Sequence, residues 1–408
     1  MKYLVLGASA AGLNGADTLR KLDKNAEIVL ISEDKEVYSK CILHHYLEGI
    51  RDIEQLNFKP INFFEERKIK WIKGKKVVHL NSKEKSVILD DGKEIHYDKI
   101  LVATGSKPFI PPIKNFREAK NVIGLRTLED CYKIKEVSKE AKNIVVIGVG
   151  LIGMDALTGL LHCGAKLSLV EMQSHILFQQ LDKFTAKTYE NKFIEAGVSH
   201  YYDNAVLNSV MDEKKNIISL ELKTGEILPV DLVIVAAGVR ANVEFLENSG
   251  VDVGCKGLLV DEHGKTNINS VFGAGDVTGL SPIWPAAVKE SIVAASNMAG
   301  KKMEMTDFFA SKTTMNFFNI PTMSIGNVSL HGDGYIIEVE HDKNGNYKKI
   351  IHKDGKIYGA ILQGDLSYSG ILTQLIKNKI NISKVKKPIF KIDYSDFFHT
   401  TEDSQFEF

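Results

Sequence analysis

Apolar residues in the first three-quarters of this chain fall in continuous runs rather than in alternation. Tyr3-Leu4-Val5-Leu6, Ile28-Val29-Leu30-Ile31, Ile144-Val145-Val146-Ile147 and Leu232-Val233-Ile234-Val235 are examples. Such runs, bounded by glycine or charged residues, predict strands of parallel sheets buried on both faces. A helical stretch, Leu13 to Leu22, separates the first two. After about Lys301 the pattern changes. Tyr335-Ile336-Ile337-Glu338-Val339-Glu340 mixes apolar and acidic positions, and Asn344-Gly345 and Asp354-Gly355 are turn dipeptides of the kind that close hairpins. Tyr358-Gly359-Ala360-Ile361-Leu362 and a helix from Gly370 to Lys377 follow, which predicts a small antiparallel sheet with a helix.

The runs belong to an internal repeat. Tyr3 to Gly7 leads into a small-residue loop, a helix, and a second strand Ala26 to Ser32 that ends in Glu33. Asn143 to Gly148 leads into Val149-Gly150-Leu151-Ile152-Gly153, a helix, and Lys166 to Val170 ending in Glu171. The first glycines are 141 positions apart (148 minus 7), and the acid follows by 26 positions in one copy (33 minus 7) and 23 in the other (171 minus 148). Strand, glycine loop, helix, strand and acid in that order form a dinucleotide-binding unit. Asp98 to Gly105 and Asp231 to Gly238 repeat as well. Each is a buried strand whose small terminal residues, Ala103-Thr104-Gly105 and Ala236-Ala237-Gly238, admit a ligand backbone. Each half is therefore expected to hold one dinucleotide.

Composition narrows the class. The chain has 408 residues, 44% apolar and 25% charged, which suits a multidomain globular protein. Lys plus Arg equals Asp plus Glu at 52, so the basic surplus of a nucleic-acid binder is missing. No stretch approaches the roughly 20 apolar residues that span a bilayer. Tyr3 to Leu6 is too short for a signal-peptide core and reads as a strand entering a phosphate loop. Cys41, Cys131, Cys163 and Cys255 form no close pair, which fits free thiols in a cytoplasmic protein. No His, Cys and carboxylate cluster has metal-ligand spacing.

Gly148-x-Gly150-x-x-Gly153 is a complete fingerprint, and Glu171 is placed to accept from a ribose 2′-hydroxyl, favouring NADH over NADPH. The first loop, Gly7-x-Ser9-x-x-Gly12, has serine at the middle position. Thr266 to Asp276, ending Phe272-Gly273-Ala274-Gly275-Asp276, resembles the second flavin signature of the pyridine nucleotide-disulfide oxidoreductases. With both glycine loops and both strand ends, the resemblance covers almost the whole chain. It implies an α/β fold of two Rossmann-like domains, for FAD and NADH, plus a small C-terminal α+β domain. The implied divisions are FAD 1–110, NADH 111–242 inserted in it, FAD resumed 243–305, and an interface domain 306–408. It places FAD on Gly7, Ser9, Ala11, Gly12, Glu33, Lys40, Val78, Ala103, Thr104, Gly105, Asp276 and Trp284. NADH would meet Gly148, Gly150, Leu151, Ile152, Gly153, Asp155, Glu171 and Gly238.

Two branches of the family compete. Tyr38-Ser39-Lys40-Cys41 is similar to the active-site segment of coenzyme A disulfide reductases and NADH oxidases, where a single cysteine faces the flavin. It is equally similar to a segment of rubredoxin reductases and the nitrite-reductase flavin module, which lack it. Lys312-Thr313-Thr314-Met315, Ile325-Gly326-Asn327 and Tyr347 to Asp365 resemble the second group. The chain departs from peroxidase and oxidase relatives in having Ala10 where they carry histidine. It has Asp155 where glutamate is usual, and Leu151 where some have an aromatic gate. Nothing pairs with Cys41 as a dithiol.

Cys41 therefore has two readings. One is a redox thiol at a helix start, its pKa lowered by the helix dipole. The other is a small residue packed beside the flavin. The other three cysteines read as packing residues distant from any motif. His44 and His45, adjacent on a helix, cannot chelate as an i, i+4 pair would and read as packing or solvent residues. Lys40 reads as a flavin contact or a solvated lysine, and Trp284 as a flavin neighbour or a core residue. The expected activity is hydride transfer from NADH to FAD, followed by electron transfer to a small iron–sulfur protein of the rubredoxin or ferredoxin type. The alternative is an NADH oxidase, or a coenzyme A or thiol disulfide reductase, using Cys41 and a small-molecule acceptor. An NADH-responsive binding module is a third class, to which only the acidic and aromatic tail from Asp396 to Phe408 would contribute; a frayed end is the other reading of that tail. Monomer and homodimer are both compatible with the sequence.

Overall fold

The computed structural model describes residues 1–306, 312–397, 399–400 and 406–407. The continuous apolar runs become parallel strands. Numbering in chain order, β1 is Lys2–Leu6, β2 Glu27–Ser32, β3 Ile69–Lys73, β4 Lys99–Val102, β5 Val122–Gly124, β6 Asn143–Ile147, β7 Lys166–Val170, β8 Leu232–Val235 and β9 Val271–Gly273. One sheet runs β9-β4-β1-β2-β3, all parallel, with Leu4 opposite Val29 and Ile100. In the second, β7, β6, β8 and β5 lie side by side, also parallel. The central strands are wholly buried because both faces are covered, in the first sheet by the helices 10–22 and 284–298 on one side and by the strands between Val77 and His96 on the other, which is why they read as unbroken apolar runs. Strands Val77–Asn81, Ser86–Leu89 and Glu94–His96 form a separate antiparallel sheet.

Six helices bear on the argument: α1 (Ala10–Leu22), α2 (Leu43–Glu48), α3 (Leu128–Ser138), α4 (Leu151–Leu160), α5 (Lys183–Glu195) and α6 (Trp284–Met298). The first helix starts three residues before Leu13, because the loop contributes Ala10-Ala11-Gly12 to its first turn. It packs along α6, and Ala11, Ala16, Ala287, Ala294 and Ala295 keep that core thin. Each loop needs its third glycine for the same reason. A Cβ on Gly12 would overlap the Gly7 carbonyl oxygen, and one on Gly153 would overlap that of Gly148. The helix axis thus lies so close to the strand end that no side chain fits between them.

The chain divides into two compact units, residues 1–170 with 205–310, and residues 171–204 with 311–408. In the second, Lys312–Phe317 (β10), Ile320–Gly326 (β11), Ile336–His341 (β12), Tyr347–Lys353 (β13) and Lys356–Gln363 (β14) form an antiparallel sheet ordered β10-β11-β14-β13-β12. Asp354 and Gly355 close the β13-β14 hairpin with φ of +49° and +71°, the pair of left-handed residues that such a tight turn requires. Helix α7 (Ser369–Lys377) covers this sheet with Leu372 and Leu375. Helix α5 docks there too: the buried Tyr189 hydroxyl donates to the Ile320 carbonyl (2.6 Å) and bonds the Thr322 hydroxyl (2.7 Å). In the tail, the backbone of His399–Thr400 pairs with that of Phe406–Glu407, where a frayed end was one expectation. Phe398 and Phe408 lie outside the described residues.

Gly12→Val is expected to lower stability by about 1–3 kcal/mol through overpacking, measured as a reduced urea midpoint with unchanged slope. Flavin content should fall with it.

Candidate functional site

Both glycine loops end in helix N-termini that the protein itself leaves uncapped. Ser9 is the N-cap of α1 and makes no side-chain cap bond; Gly150 is the N-cap of α4 and has no side chain to make one. Neither first turn contains an acidic residue. By contrast, Thr127 and Asp130 close the start of α3 with a reciprocal capping box. Free first-turn amides with the positive end of the helix dipole form an anion site suited to a pyrophosphate. Gly7, at φ +109°, lies against the end of β4, where a Cβ would overlap the Ala103 carbonyl. Gly148, at φ +86°, lies similarly against the Ala236 carbonyl, 2.7 Å from where a Cβ would be. A Cβ on Gly150 would meet nothing within 4 Å, so that position opens outward. The two loops fit dinucleotides on this geometry.

Glu33 follows β2 with its side chain 69% exposed, 4.0 Å from Lys76, free to meet a ribose. Val78 is half-exposed on its strand. Ala103 is buried at the end of β4. Thr104 is tied to the returning chain, its hydroxyl donating to the Asn242 carbonyl (2.9 Å) and its own carbonyl accepting from the Asn242 amide (3.0 Å). Gly105 and Gly238 both have positive φ with open space around them. Leu151 and Ile152 are half-buried in the first turn of α4. Glu171 is the first residue of the second unit; its carboxylate accepts from the Gln173 amide at 2.9 Å. Trp284 opens α6 and packs edge-on against Phe58, its ring 4.6 Å away.

Charged groups converge next to the first loop. Asp276 starts a short 3-10 turn after Gly275, and its Oδ2 meets the Arg126 guanidinium and accepts from the Ser106 hydroxyl (3.1 Å). Arg126 and Asp276 are 17% and 13% exposed, so this pair is largely shielded from water. Lys40 lies 3.8 Å from Asp34, and Asp34 also accepts from the Tyr38 hydroxyl at 2.6 Å. Burial pulls the Lys40 pKa down, with Asp34 opposing it. Beneath the Asp276 turn, buried Glu290 accepts from the Gly275 amide (2.8 Å) and the Thr278 hydroxyl (3.2 Å). Burial pushes its pKa up to about 7.

Cys41 sits in a 3-10 turn, Lys40–Ile42, ahead of the six-residue α2. Solvent reaches its side chain. Burial by its surroundings, followed by the charge of Asp155, nevertheless raises the thiol pKa. The expected lowering by a helix dipole is therefore corrected: no α-helix begins at Cys41, and the nearby charge of largest effect is negative. Cys131 is likewise nearer the site than its sequence position suggested, its sulfur 4.0 Å from the Leu43 carbonyl. His44 faces Asp155 of α4, Nδ1 to Oδ1 3.5 Å.

Arg126, Asp34 and Glu290 were not singled out from sequence, Tyr38 entered only as part of the Tyr38 to Cys41 segment, and His44 was read as a packing or solvent residue. Glu290 carried a signal, being an acid on the stripe Ala287, Glu290, Ala294 of an otherwise apolar helix face. The others bore none, because tertiary packing alone brings them together. Among the described residues, no group of three or more side chains could hold a metal ion, and no helix is long and apolar enough to cross a membrane.

Two buried parallel sheets, each with a glycine loop and an open helix start, define a two-dinucleotide oxidoreductase. Residues 1–291 match the pyridine nucleotide-disulphide oxidoreductase family model, and residues 312–380 match the rubredoxin NAD+ reductase C-terminal domain. The chain belongs to the pyridine nucleotide-disulphide oxidoreductase family, whose cofactors are FAD and a nicotinamide dinucleotide. It is 29% identical to the NADH-dependent phenylglyoxylate dehydrogenase subunit epsilon of Aromatoleum evansii, over 94% of this chain and 93% of that one. It is 32% identical to an NADH oxidase of Methanocaldococcus jannaschii, over 74% of this chain and 70% of that one. NADH:rubredoxin oxidoreductase from Clostridium acetobutylicum shares the fold, with a TM-score of 0.77 and 22% identity, covering 95% of this chain and 97% of that one. The chain spans about half the length of the nitrate and nitrite reductase relatives from Bacillus subtilis.

Glu290→Gln keeps the acceptor and removes the titration. A carboxyl with a raised folded pKa contributes stability fully present below its unfolded value and lost as pH rises through its folded one. Wild type should therefore lose stability relative to Glu290→Gln between pH 4.5 and about 7, by on the order of 2 kcal/mol, in urea unfolding across that range.

Proposed function

We propose that this chain takes hydride from NADH and passes electrons to a small iron–sulfur carrier of the rubredoxin or ferredoxin type. The observation that carries this reading is the C-terminal domain. Residues 312–380, built as the sheet β10 to β14 with α7, match a domain described from rubredoxin NAD+ reductase. FAD, when bound, supplies the change from two-electron hydride acceptance to one-electron delivery. This chain's residues bind and orient. The amides of Ala10, Ala11 and Gly12 would face one pyrophosphate, and Glu33 its ribose. Lys40, Asp276 and Trp284 would flank the redox end. The α4 start, with Gly148, Gly150, Leu151, Ile152 and Gly153, would hold NADH, with Asp155 and Gly238 on the nicotinamide side. Arg126 joins this set through its contact with Asp276.

Three finer assignments belong to the same proposal. The domain division is 1–110, 111–242, 243–305 and 306–408. The four free cysteines fit a reducing cytoplasm. NADH is preferred over NADPH, because the Glu171 carboxylate would repel a 2′-phosphate.

The second reading is an NADH oxidase or a coenzyme A or thiol disulfide reductase. The solvent-reached thiol of Cys41 favours it, as does the likeness to a protein named NADH oxidase.

Anaerobic titration of the holoenzyme with a reductant separates the two. Uptake of about two electrons per FAD, unchanged in Cys41→Ser, is expected if FAD is the sole redox centre. Uptake of about four, falling to about two in Cys41→Ser, would replace the first reading with the second. Under the first reading, NADH-dependent bleaching of an added rubredoxin or ferredoxin proceeds undiminished in Cys41→Ser. For cofactor choice, Glu171→Ala is expected to raise kcat/KM for NADPH relative to NADH by about tenfold, the loss of one charged hydrogen bond.

A further inference from the structure

Glu171 follows β7 and opens a segment that is laced to a second one, residues 201–204. Its backbone amide donates to the Tyr201 carbonyl (2.9 Å), and its carbonyl accepts from the Asn204 amide (3.0 Å). The Asp203 amide donates to the Gln173 carbonyl (3.1 Å), and the Gln173 amide donates to the Glu171 carboxylate (2.9 Å). Asp203 takes φ +51°, a left-handed turn between the two bonds that its neighbours make to Glu171. The acid is thus clasped on both sides by the 201–204 backbone, and whatever holds that segment still also holds Glu171.

The hold comes from a row of three side chains that the dinucleotide reading does not use. The Tyr202 hydroxyl lies 3.0 Å from His200 Nδ1 and bonds the Glu190 side chain. The Glu190 carboxylate only accepts, so the hydroxyl donates to it and accepts from the Nδ1–H form of His200. Glu190 is buried, accepts from the Ile176 amide (3.4 Å) and faces the Lys187 ammonium (3.6 Å). It stands on α5 next to Tyr189, whose hydroxyl fastens that helix to Ile320 and Thr322 of β11. The order is sheet, helix, Glu190, Tyr202, segment 201–204, Glu171, and every link lies within the second unit. A buried row of this kind is fully bonded in one geometry only, so it fixes the place of its members.

We propose that Tyr202 is a positioning residue for the dinucleotide: through Glu190 and His200 it holds residues 201–204 against Glu171, and so sets how well that acid meets a ribose with a free 2′-hydroxyl. The proposal rests on the reading of Glu171 as the ribose acid. The ribose is at the far end of the dinucleotide from the nicotinamide, so loosening Glu171 weakens binding and leaves the rate of hydride transfer alone.

Anaerobic stopped-flow reduction of the holoenzyme flavin by NADH or NADPH tests this without an acceptor, since it yields a dissociation constant and a limiting rate. Tyr202→Phe is expected to raise the NADH constant about fivefold, the loss of one hydrogen bond, with the limiting rate unchanged and the NADPH constant not raised. Glu190→Ala should weaken NADH alike, and Glu190→Gln, which keeps an acceptor for the hydroxyl, should restore it. In a Glu171→Ala background, Tyr202→Phe should add nothing further. An unchanged NADH constant in Tyr202→Phe, with Glu171→Ala weakened, would overturn the proposal and leave the reading of Glu171 standing. Unweakened binding in Glu171→Ala would overturn both. The same loss in both backgrounds, or an equal loss for NADPH, would also overturn it, because Tyr202 would then support the fold at large. Should Tyr202→Phe fail to fold, the Glu190 variants decide, and equal NADH constants for Glu190→Ala and Glu190→Gln refute the role of the bond.

Discussion

The first unit depends on how closely two helices approach the strands that feed them. Gly12 and Gly153 leave no room for a Cβ above the carbonyls of Gly7 and Gly148. That contact fixes the direction of α1 and α4 and aims their first amides at one end of each sheet. It also explains the alanines between α1 and α6, since larger side chains would lift α1 off its sheet. An oxidoreductase of this kind does little bond chemistry with its own groups. Holding two flat redox partners in a fixed relation is its main task, and backbone geometry suits that task better than flexible side chains.

Around these rigid loops the protein concentrates charge in partly dry surroundings. Arg126 and Asp276 neutralise each other, Lys40 is balanced by Asp34, and Glu290 braces the turn carrying Asp276 through two hydrogen bonds. A buried group left without such partners shifts toward its neutral form. Asp155 and His44 both show this, in opposite directions. Glu290 is pushed up as well, to about 7, because its partners do not fully offset its burial.

The second unit follows a different logic. Its antiparallel sheet is tied to α5 by buried polar contacts: the Tyr189 hydroxyl on β11, the Gln363 amide on the Thr185 carbonyl, and Lys349 3.0 Å from Asp182 at the helix start. Each of these buried groups has a partner, so the contacts specify register as well as adding stability. Residues 171–204 thereby join the same compact unit as the C-terminal sheet.

The sequence by itself determined the repeated strand, loop and helix units, the parallel character of the long sheets, and the Asp354-Gly355 hairpin. These follow from local rules: unbroken apolar runs, glycines at fixed offsets, and turn residues that accept positive φ. Only the tertiary structure decided the chemistry of individual side chains. His44 and Asp155 lie 111 positions apart (155 minus 44), and nothing in their neighbours marks them as a pair. Gly159, which lets their helices cross, looks in sequence like any small residue in a helix. Of the two readings of Cys41, the one with a dipole-lowered thiol meets the opposite direction of shift in the fold, for the same reason. A helix start can be inferred from nearby residues, but the desolvation and charge acting on a thiol depend on whatever the fold packs around it.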